Sequence, residues 1–397
     1  MRRLLALMVG LGLGVAQTVI PFWHTMDPPG RDLMETFVAE FNARQRDYRI
    51  EARYVGDIRE GGVRLAAALR AGSQPAMYYA EVSFVARSFA DNLSVPLDPY
   101  LGSLPDDLYG NLMEVGKFRG RTLALPVELQ VPVFFYNADQ FGARGLNPPR
   151  TWEDVANAAQ RLTSRAARGY ILSSDIYSFS ALVMSWGGSI IGPDGKPSFT
   201  EPKVVAALEY LQTLVQRGWA QSRPIDQLQF SIVDFLRTKA MMVVAPITLW
   251  PTVVDRANIP FRLGVAPMPR VEGGKVPLGG GTLTAIRGAS EAQARGVVAF
   301  WRYMMEPANI NRWVRETYAL PMRRNALPLL EPFYAQDPRR RVALSQIPDA
   351  QRWISDPEAT IWYDALERSL EAAIQGGQNA RQALERAQQQ ALSVERR

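Results

Sequence analysis

Strand and helix signals alternate from the first residues past the amino terminus, and this alternation restricts the possible folds most. Residues 18–23 (TVIPFW) read as a buried strand. Residues 32–44 (DLMETFVAEFNAR) place Leu33, Phe37, Val38 and Phe41 at helical spacing. Residues 48–55 alternate as a second strand. Residues 63–71 read as a helix with Gly72 in the usual stop position, and residues 76–82 as a third strand. A β-α-β-α-β order builds a parallel sheet covered by helices.

Residues 123–137 (LALPVELQVPVFFYN) behave differently. They are rich in β formers but interrupted by Pro126 and Pro132. Proline lacks the amide a ladder needs, so the segment is expected away from the centre of a regular sheet, as a crossing between two lobes. Thr151 followed by Asp154 is a helix-start signal, a capping box with Asp in place of Glu or Gln. Helices are expected at 152–163 and 202–217, and strands at 240–245 and 262–266. Residues 277–286 (PLGGGTLTAI) form a second extended segment opened by three glycines, and residues 292–305 a helix. A turn at 317–323 and a mostly helical carboxy-terminal third, ending at 381–393, complete the pass. No internal repeat or low-complexity tract appears. The pattern is α/β, with two lobes joined by more than one crossover.

The amino terminus carries an address. A basic head (residues 1–3), an apolar run (residues 4–15) and small residues Gly14 and Ala16 make the three-part pattern of a secretory leader. The run is too short to span a bilayer, which takes about 20 residues. The expected mature chain starts at Gln17 and lies in the periplasm. With no cysteine in the chain, there is no lipid-anchored amino-terminal thiol, no disulfide, no thiolate nucleophile and no zinc-thiolate site. A single histidine, His24, rules out a multi-histidine metal centre. The net charge of +6 comes from 45 basic and 39 acidic residues spread along the chain, without the basic, aromatic-interleaved patches that read nucleic acid.

Several stretches, in order, resemble family 1 extracellular solute-binding proteins, the maltose-binding class. They are IPFWHTM (20–26), FNARQRDYRIE (41–51), LPVELQVPVFFYNADQF (125–141) and GLNPPRTWEDV (145–155). FLRTKAMMVV (235–244), LGVAPMP (263–269), GGGTLTAI (279–286), AFWRYMMEPANINRWV (299–314, as one helix) and TYALP (317–321) continue the series. IPFWHTM is similar to the glycerol-3-phosphate and glycerophosphodiester receptors of that class. The resemblance implies a periplasmic-binding-protein fold: two α/β lobes, a hinge of crossing extended segments and a helical carboxy terminus. The lobes would be residues 17–129 with 279–322, and residues 130–278 with 323–397, after a 1–16 leader. It further implies a monomeric receptor, not an enzyme, with no cofactor. The receptor would close on a small polar ligand and deliver it to the membrane permease of an ABC importer. The ligand would be glycerol-3-phosphate or a glycerophosphodiester, with a sugar as the alternative. No phosphate-binding G-x-x-x-x-G-K-[ST] loop is present.

Candidate ligand residues follow from strand ends and from the resemblance. Trp23 and His24 end the first strand, as a stacking wall and a polar tip. Glu81 follows the apolar strand AMYYA and offers a carboxylate to ligand hydroxyls. Gly280 and Gly281 allow close approach to backbone amides. Trp186 and Trp250 are polar-tipped aromatics beside turn signals. By resemblance, Asp57-Ile58 stands where the relatives carry a pocket tyrosine, and Leu129 or Gln130 where they carry a hinge serine. Tyr318 lies one position before their turn tyrosine, and Tyr363 where they carry an arginine. Losing that arginine weakens the case for a phosphate monoester, unless Arg323 or Arg324 substitutes. The rival class is an exported hydrolase using a carboxylate pair such as Glu81 and Glu128. No G-x-S-x-G elbow or metal triad accompanies the pair.

Overall fold

The computed structural model describes residues 17–223, 229–251, 253, 257–353, 357 and 359–394. The leader assigned to residues 1–16 lies outside them. The expected β-α-β-α-β start is present: β1 (Thr18–His24), α1 (Gly30–Arg44), β2 (Tyr48–Tyr54), α2 (Ile58–Ala71) and β3 (Met77–Glu81). Strand β1 pairs in parallel with β2 on one side and β3 on the other. Gly72 caps α2 with φ +67°, a left-handed conformation that glycine adopts without a Cβ penalty. A short helix α3 (Phe84–Ala90) follows.

The proline-rich segment is two strands, β4 (Leu125–Gln130) and β5 (Pro132–Asn137), and they belong to different sheets. After α4 (Trp152–Leu162) come β6 (Tyr170–Leu172), α5 (Ile176–Ser185), α6 (Pro202–Gln216) and β7 (Ala220–Ser222). Then come β8 (Met242–Pro246), β9 (Leu263–Pro267) and β10 (Val276–Ala285). The helices α7 (Glu291–Met304), α8 (Pro307–Thr317) and α9 (Leu327–Gln336) lead to β11 (Ala350–Arg352), α10 (Ala359–Ile374) and α11 (Ala380–Val394). The first sheet runs β11-β10-β3-β1-β2, with β4 also on β10; the second runs β9-β5-β8-β6-β7.

Two expectations are corrected. Strand β5 is interior, with antiparallel partners β8 and β9 on its two edges. Pro132 is tolerated because it is the first residue of the strand. The stretch 299–314 is two helices: α7 ends at Met304 and Pro307 opens α8. Proline has no amide to continue the first ladder but suits a first helical turn.

Helix α7 covers the first sheet, burying Phe300 and Trp301, and Trp301 Nε1 donates to the Pro126 carbonyl at 2.8 Å. Phe37 and Phe41 of α1 pack against Tyr303 of α7. The Thr151–Asp154 capping box opens α4 as expected. Helices α10 and α11 pack on α6 and are pinned there: Gln212 Nε2 of α6 donates to the Ala373 and Gln378 carbonyls at 2.8 and 2.6 Å.

Candidate functional site

In a parallel sheet, ligands collect beyond the carboxyl ends of the strands, where the strand order reverses. Here that place lies beyond His24, Tyr54 and Glu81, because β2 and β3 flank β1. Glu81 closes β3 and pairs in register with Gly281 of β10, whose other edge faces Glu128 of β4. Two carboxylates therefore flank one glycine.

Both glycines are required by packing. Gly280 has φ +108°, and a Cβ there would overlap the Glu128 carbonyl oxygen. A Cβ at Gly281 would run into the Tyr79 ring. That ring lies where its hydroxyl donates to Glu128 Oε2 at 2.9 Å. Burial pushes the Glu128 carboxyl up to about 7, with the Tyr79 hydrogen bond opposing and the Asp27 charge reinforcing. Glu81 keeps solvent access, yet the protein around it raises its pKa, opposed by a hydrogen bond from Ser83. A carboxylate both accessible and desolvated stands in a recess.

Aromatics from α5 and from the segment after β11 lie against β10 near this recess. Asp175 caps α5 by accepting from the Ser178 amide at 2.9 Å, which sets Tyr177 in the first turn. The Tyr177 hydroxyl donates to the Pro277 carbonyl at 3.3 Å and would lie 3.1 Å from a Cβ at Gly279. Its ring meets Trp353 edge-on at 5.3 Å, and Trp353 stacks on Tyr363 at 6.1 Å. Burial raises the Tyr177 and Tyr363 pKa values, and the Glu81 charge adds to both, so Glu81 lies within Coulomb reach of each. The Tyr363 hydroxyl and Trp353 Nε1 are buried without a hydrogen-bond partner among the described residues. Among the described residues, no lysine or arginine is among the groups that shift Glu81 or Glu128.

Gln130, Trp250 and Tyr318 gather at the crossing between the sheets. The Thr248 hydroxyl donates to Gln130 Oε1. The Trp250 ring is fully buried and stacks on Tyr318 at 5.2 Å with 18° between planes. Tyr318 caps α8 in the left-handed region, φ +60°, and the Leu320 amide donates to the Leu129 carbonyl at 2.7 Å. The structure thus sets Glu81, Gly280, Gly281 and Gln130 on adjacent strands, links Tyr363 to Gly279 through Trp353 and Tyr177, and stacks Trp250 on Tyr318 at the crossing.

Four predicted residues are held by packing or capping contacts of their own. Trp23 packs beside Val55 and Leu65, with the Arg53 guanidinium 5.7 Å from its ring. His24 is fully buried, 5.9 Å from the Tyr54 ring. Burial first, then the Arg31 charge, lowers its pKa to about 4. It is neutral at pH 7, so the 3.9 Å approach to Glu35 is a contact, not an ion pair. Asp57 is the amino-terminal cap of α2, accepting from the Glu60 amide at 2.8 Å. Trp186 packs edge-on against Tyr210 at 5.6 Å, within the second lobe. Arg323 and Arg324 are no substitute for the missing arginine. Arg323 forks onto the Asp107 carboxylate at 2.7–3.0 Å, and Arg324 lies 4.7 Å from the Tyr109 ring.

Tyr177 and Trp353 escape the sequence reading. Tyr177 lies in an apolar run that reads as core, and Trp353 follows a three-residue strand. A groove of about 1180 Å³ runs along residues 145–150 and 266–272, and none of the predicted residues lines it.

Residues 36–342 match the family described as bacterial extracellular solute-binding protein. The chain is 26% identical over 371 residues to the sn-glycerol-3-phosphate-binding periplasmic protein UgpB of Escherichia coli K12, covering 86% of this chain and 84% of that one. Its fold is similar to UgpB from Mycobacterium tuberculosis in complex with glycerophosphocholine, with TM-score 0.83 and 21% identity over 96% of this chain and 98% of that one. It is also similar to the cyclic alpha-maltosyl-1,6-maltose binding protein from Arthrobacter globiformis, with TM-score 0.81 and 22% identity over 95% and 99%. The two sheets have the periplasmic-binding-protein architecture of these structures. The chain belongs to the family of bacterial extracellular solute-binding proteins.

Proposed function

We propose that the chain is the periplasmic capture subunit of an ABC importer, exported by the leader at residues 1–16 and acting as a monomer. Its lobes close on a hydroxyl-bearing ligand without net negative charge and hand it to a membrane permease. The observation that carries this reading is the placement of two carboxylates, Glu81 and Glu128, on the strands that flank Gly281, with both pKa values raised by burial and no lysine or arginine among the described groups that shift them. A phosphate monoester dianion would meet repulsion there and no forked guanidinium. A glycerophosphodiester with a cationic head is the ligand this chemistry favours. Glu81 accepts from the glycerol hydroxyls, and the Trp353–Tyr363 stack faces the cation, which aromatic faces attract.

In this reading the lobes are residues 17–129 with 279–322 and residues 130–278 with 323–397, except that β11 (Ala350–Arg352) joins the sheet of the first lobe. Gln130, Trp250, Gly280, Gly281, Tyr318 and Tyr363 border the closing cleft, joined by Tyr177 and Trp353. Trp23, His24, Asp57 and Trp186 serve the fold instead. A second reading, an oligosaccharide, draws on the same stack, since flat aromatic faces also cover sugar rings. A hydrolase is disfavoured because the Tyr79 hydrogen bond already occupies Glu128.

The test is a thermal-shift panel of glycerophosphocholine, glycerophosphoglycerol, sn-glycerol-3-phosphate, maltose and maltotriose, with each ligand recovered afterwards. The expected result is stabilisation by glycerophosphocholine of about 2.7 kcal/mol at a hundredfold excess over Kd, with the ligand returned intact. Stabilisation by maltose or maltotriose alone selects the oligosaccharide. Consumption of a ligand means an enzyme.

A further inference from the structure

A second cavity opens beside Glu81. It holds about 360 Å³ between α2 and α3, at the carboxyl edge of the parallel strands. Its walls are apolar, from Leu65, Leu69, Tyr78, Phe84 and Leu93, and it shares Glu81 and Tyr79 with the candidate site. The volume falls in the range of small-molecule pockets, roughly 300–1,000 Å³. Apolar cavities less than half this size stay dry and take up a benzene ring. The one guanidinium at the rim, Arg87, is held by Asp91 at 2.5 Å.

Helix α2 carries adjacent glycines, each costing the helix about 1 kcal/mol relative to alanine. Gly61 is required: a Cβ there would overlap the Thr25 side chain and come within 2.9 Å of the Tyr78 hydroxyl. Gly62 has no such reason, since a Cβ would meet nothing within 4 Å, and Gly62 lines the cavity. A helix-weakening residue that packing does not demand keeps the space wide. Ile58, one turn earlier and 54% exposed, stands at the cavity wall as an apolar entrance.

We propose that this chamber is a second subsite, for an apolar substituent of the ligand (a short alkyl chain or a single aromatic ring) whose hydroxyl-bearing part is held at Glu81. The proposal rests on the capture reading above. It makes the preferred ligand amphiphilic, with selectivity for its apolar end built into α2.

The test is isothermal titration of the chain with 1-O-alkylglycerols from methyl to hexyl, with glycerophosphocholine run in parallel. The wild type is compared with Gly62→Leu, which fills the chamber, and Gly62→Ala, which suits the helix. In the wild type each added methylene is expected to tighten binding about fourfold until the chamber is full. Gly62→Leu flattens that dependence while leaving glycerophosphocholine affinity unchanged, and Gly62→Ala saturates about one methylene earlier. Wild-type affinity independent of chain length overturns the proposal, as does an unaltered slope in both variants. Failure of glycerophosphocholine to bind, with the alkyl series behaving as expected, removes the choice of head group and leaves the chamber standing.

Discussion

The two extended segments beside Glu81 solve one problem in opposite ways. The first, β4 and β5, carries Pro126 and Pro132 and divides between the two sheets after Gln130. The second, β10, is one continuous strand within the first sheet and carries Gly279, Gly280 and Gly281. Its crossing from the second sheet occurs earlier, between β9 and β10. Proline is tolerated where a strand begins, and Pro132 does so at the change of sheet, where β5 opens. Glycine is required where a neighbour's backbone or ring fills the space of a Cβ. The difference teaches that the proline segment links the lobes, whereas the glycine segment shapes the site.

The sharpest way to break the comparison is Gly280→Ala. It combines a positive φ with overlap on the Glu128 carbonyl oxygen. The expected cost is about 3 kcal/mol or more, read as a lowered urea midpoint with unchanged slope. A loss under about 1 kcal/mol would mean that β4 and β10 separate easily, and the packing argument would fail.

The pH dependence of stability comes next. The folded-state pKa of Glu128 is raised, so its contribution falls as pH rises from 4.5 to about 7. The folded-state pKa of His24 is lowered, so its contribution falls as pH drops from 6.5 to about 4. Each shift corresponds to about 3 kcal/mol, with opposite sign, so the two nearly cancel between pH 4.5 and 6.5. Glu128→Gln should expose the histidine slope, with stability declining on acidification. His24→Gln should expose the carboxylate slope, with stability declining on alkalinisation. Denaturation curves at pH 4.5, 5.5 and 6.5 check both, and parallel curves for the two variants would contradict the assignment.

Smaller effects sharpen the picture. Tyr79→Phe removes the hydroxyl that donates to Glu128 and is expected to cost about 1 kcal/mol. It should also move the carboxylate transition further upward, seen as a shifted pH midpoint in the His24→Gln background. Pro132→Ala is expected to change stability least, by about 0.5–1 kcal/mol through the unfolded chain. A loss as large as that of Gly280→Ala would erase the distinction between the segments.

Local signals carry much of the fold. Gly72, Thr151 with Asp154, and the alternation to Glu81 each act through neighbouring backbone, so their reading transfers directly to structure. Glu81 ends β3 and Gly280 and Gly281 lie within β10, places that a strand end and a glycine run mark in the sequence, whereas Gln130 is marked only by the resemblance. The aromatics divide otherwise. Trp186 and Trp250 look alike in sequence, beside turns, yet one packs on Tyr210 and the other on Tyr318 at the crossing. Only the packing of distant elements separates them. Tyr177 meets Trp353, 176 positions further along the chain, through the arrangement of α5 against the carboxy-terminal segment, which no local pattern encodes.

The central claim is that the Glu81 recess selects a ligand without net negative charge. Isothermal titration with glycerophosphocholine and sn-glycerol-3-phosphate at one ionic strength tests it most directly, repeated with Glu81→Gln. The account predicts diester binding at least a hundredfold tighter than monoester binding, with the gap narrowing in the variant as the repelling charge is removed. Tighter monoester binding, unchanged by Glu81→Gln, would contradict it.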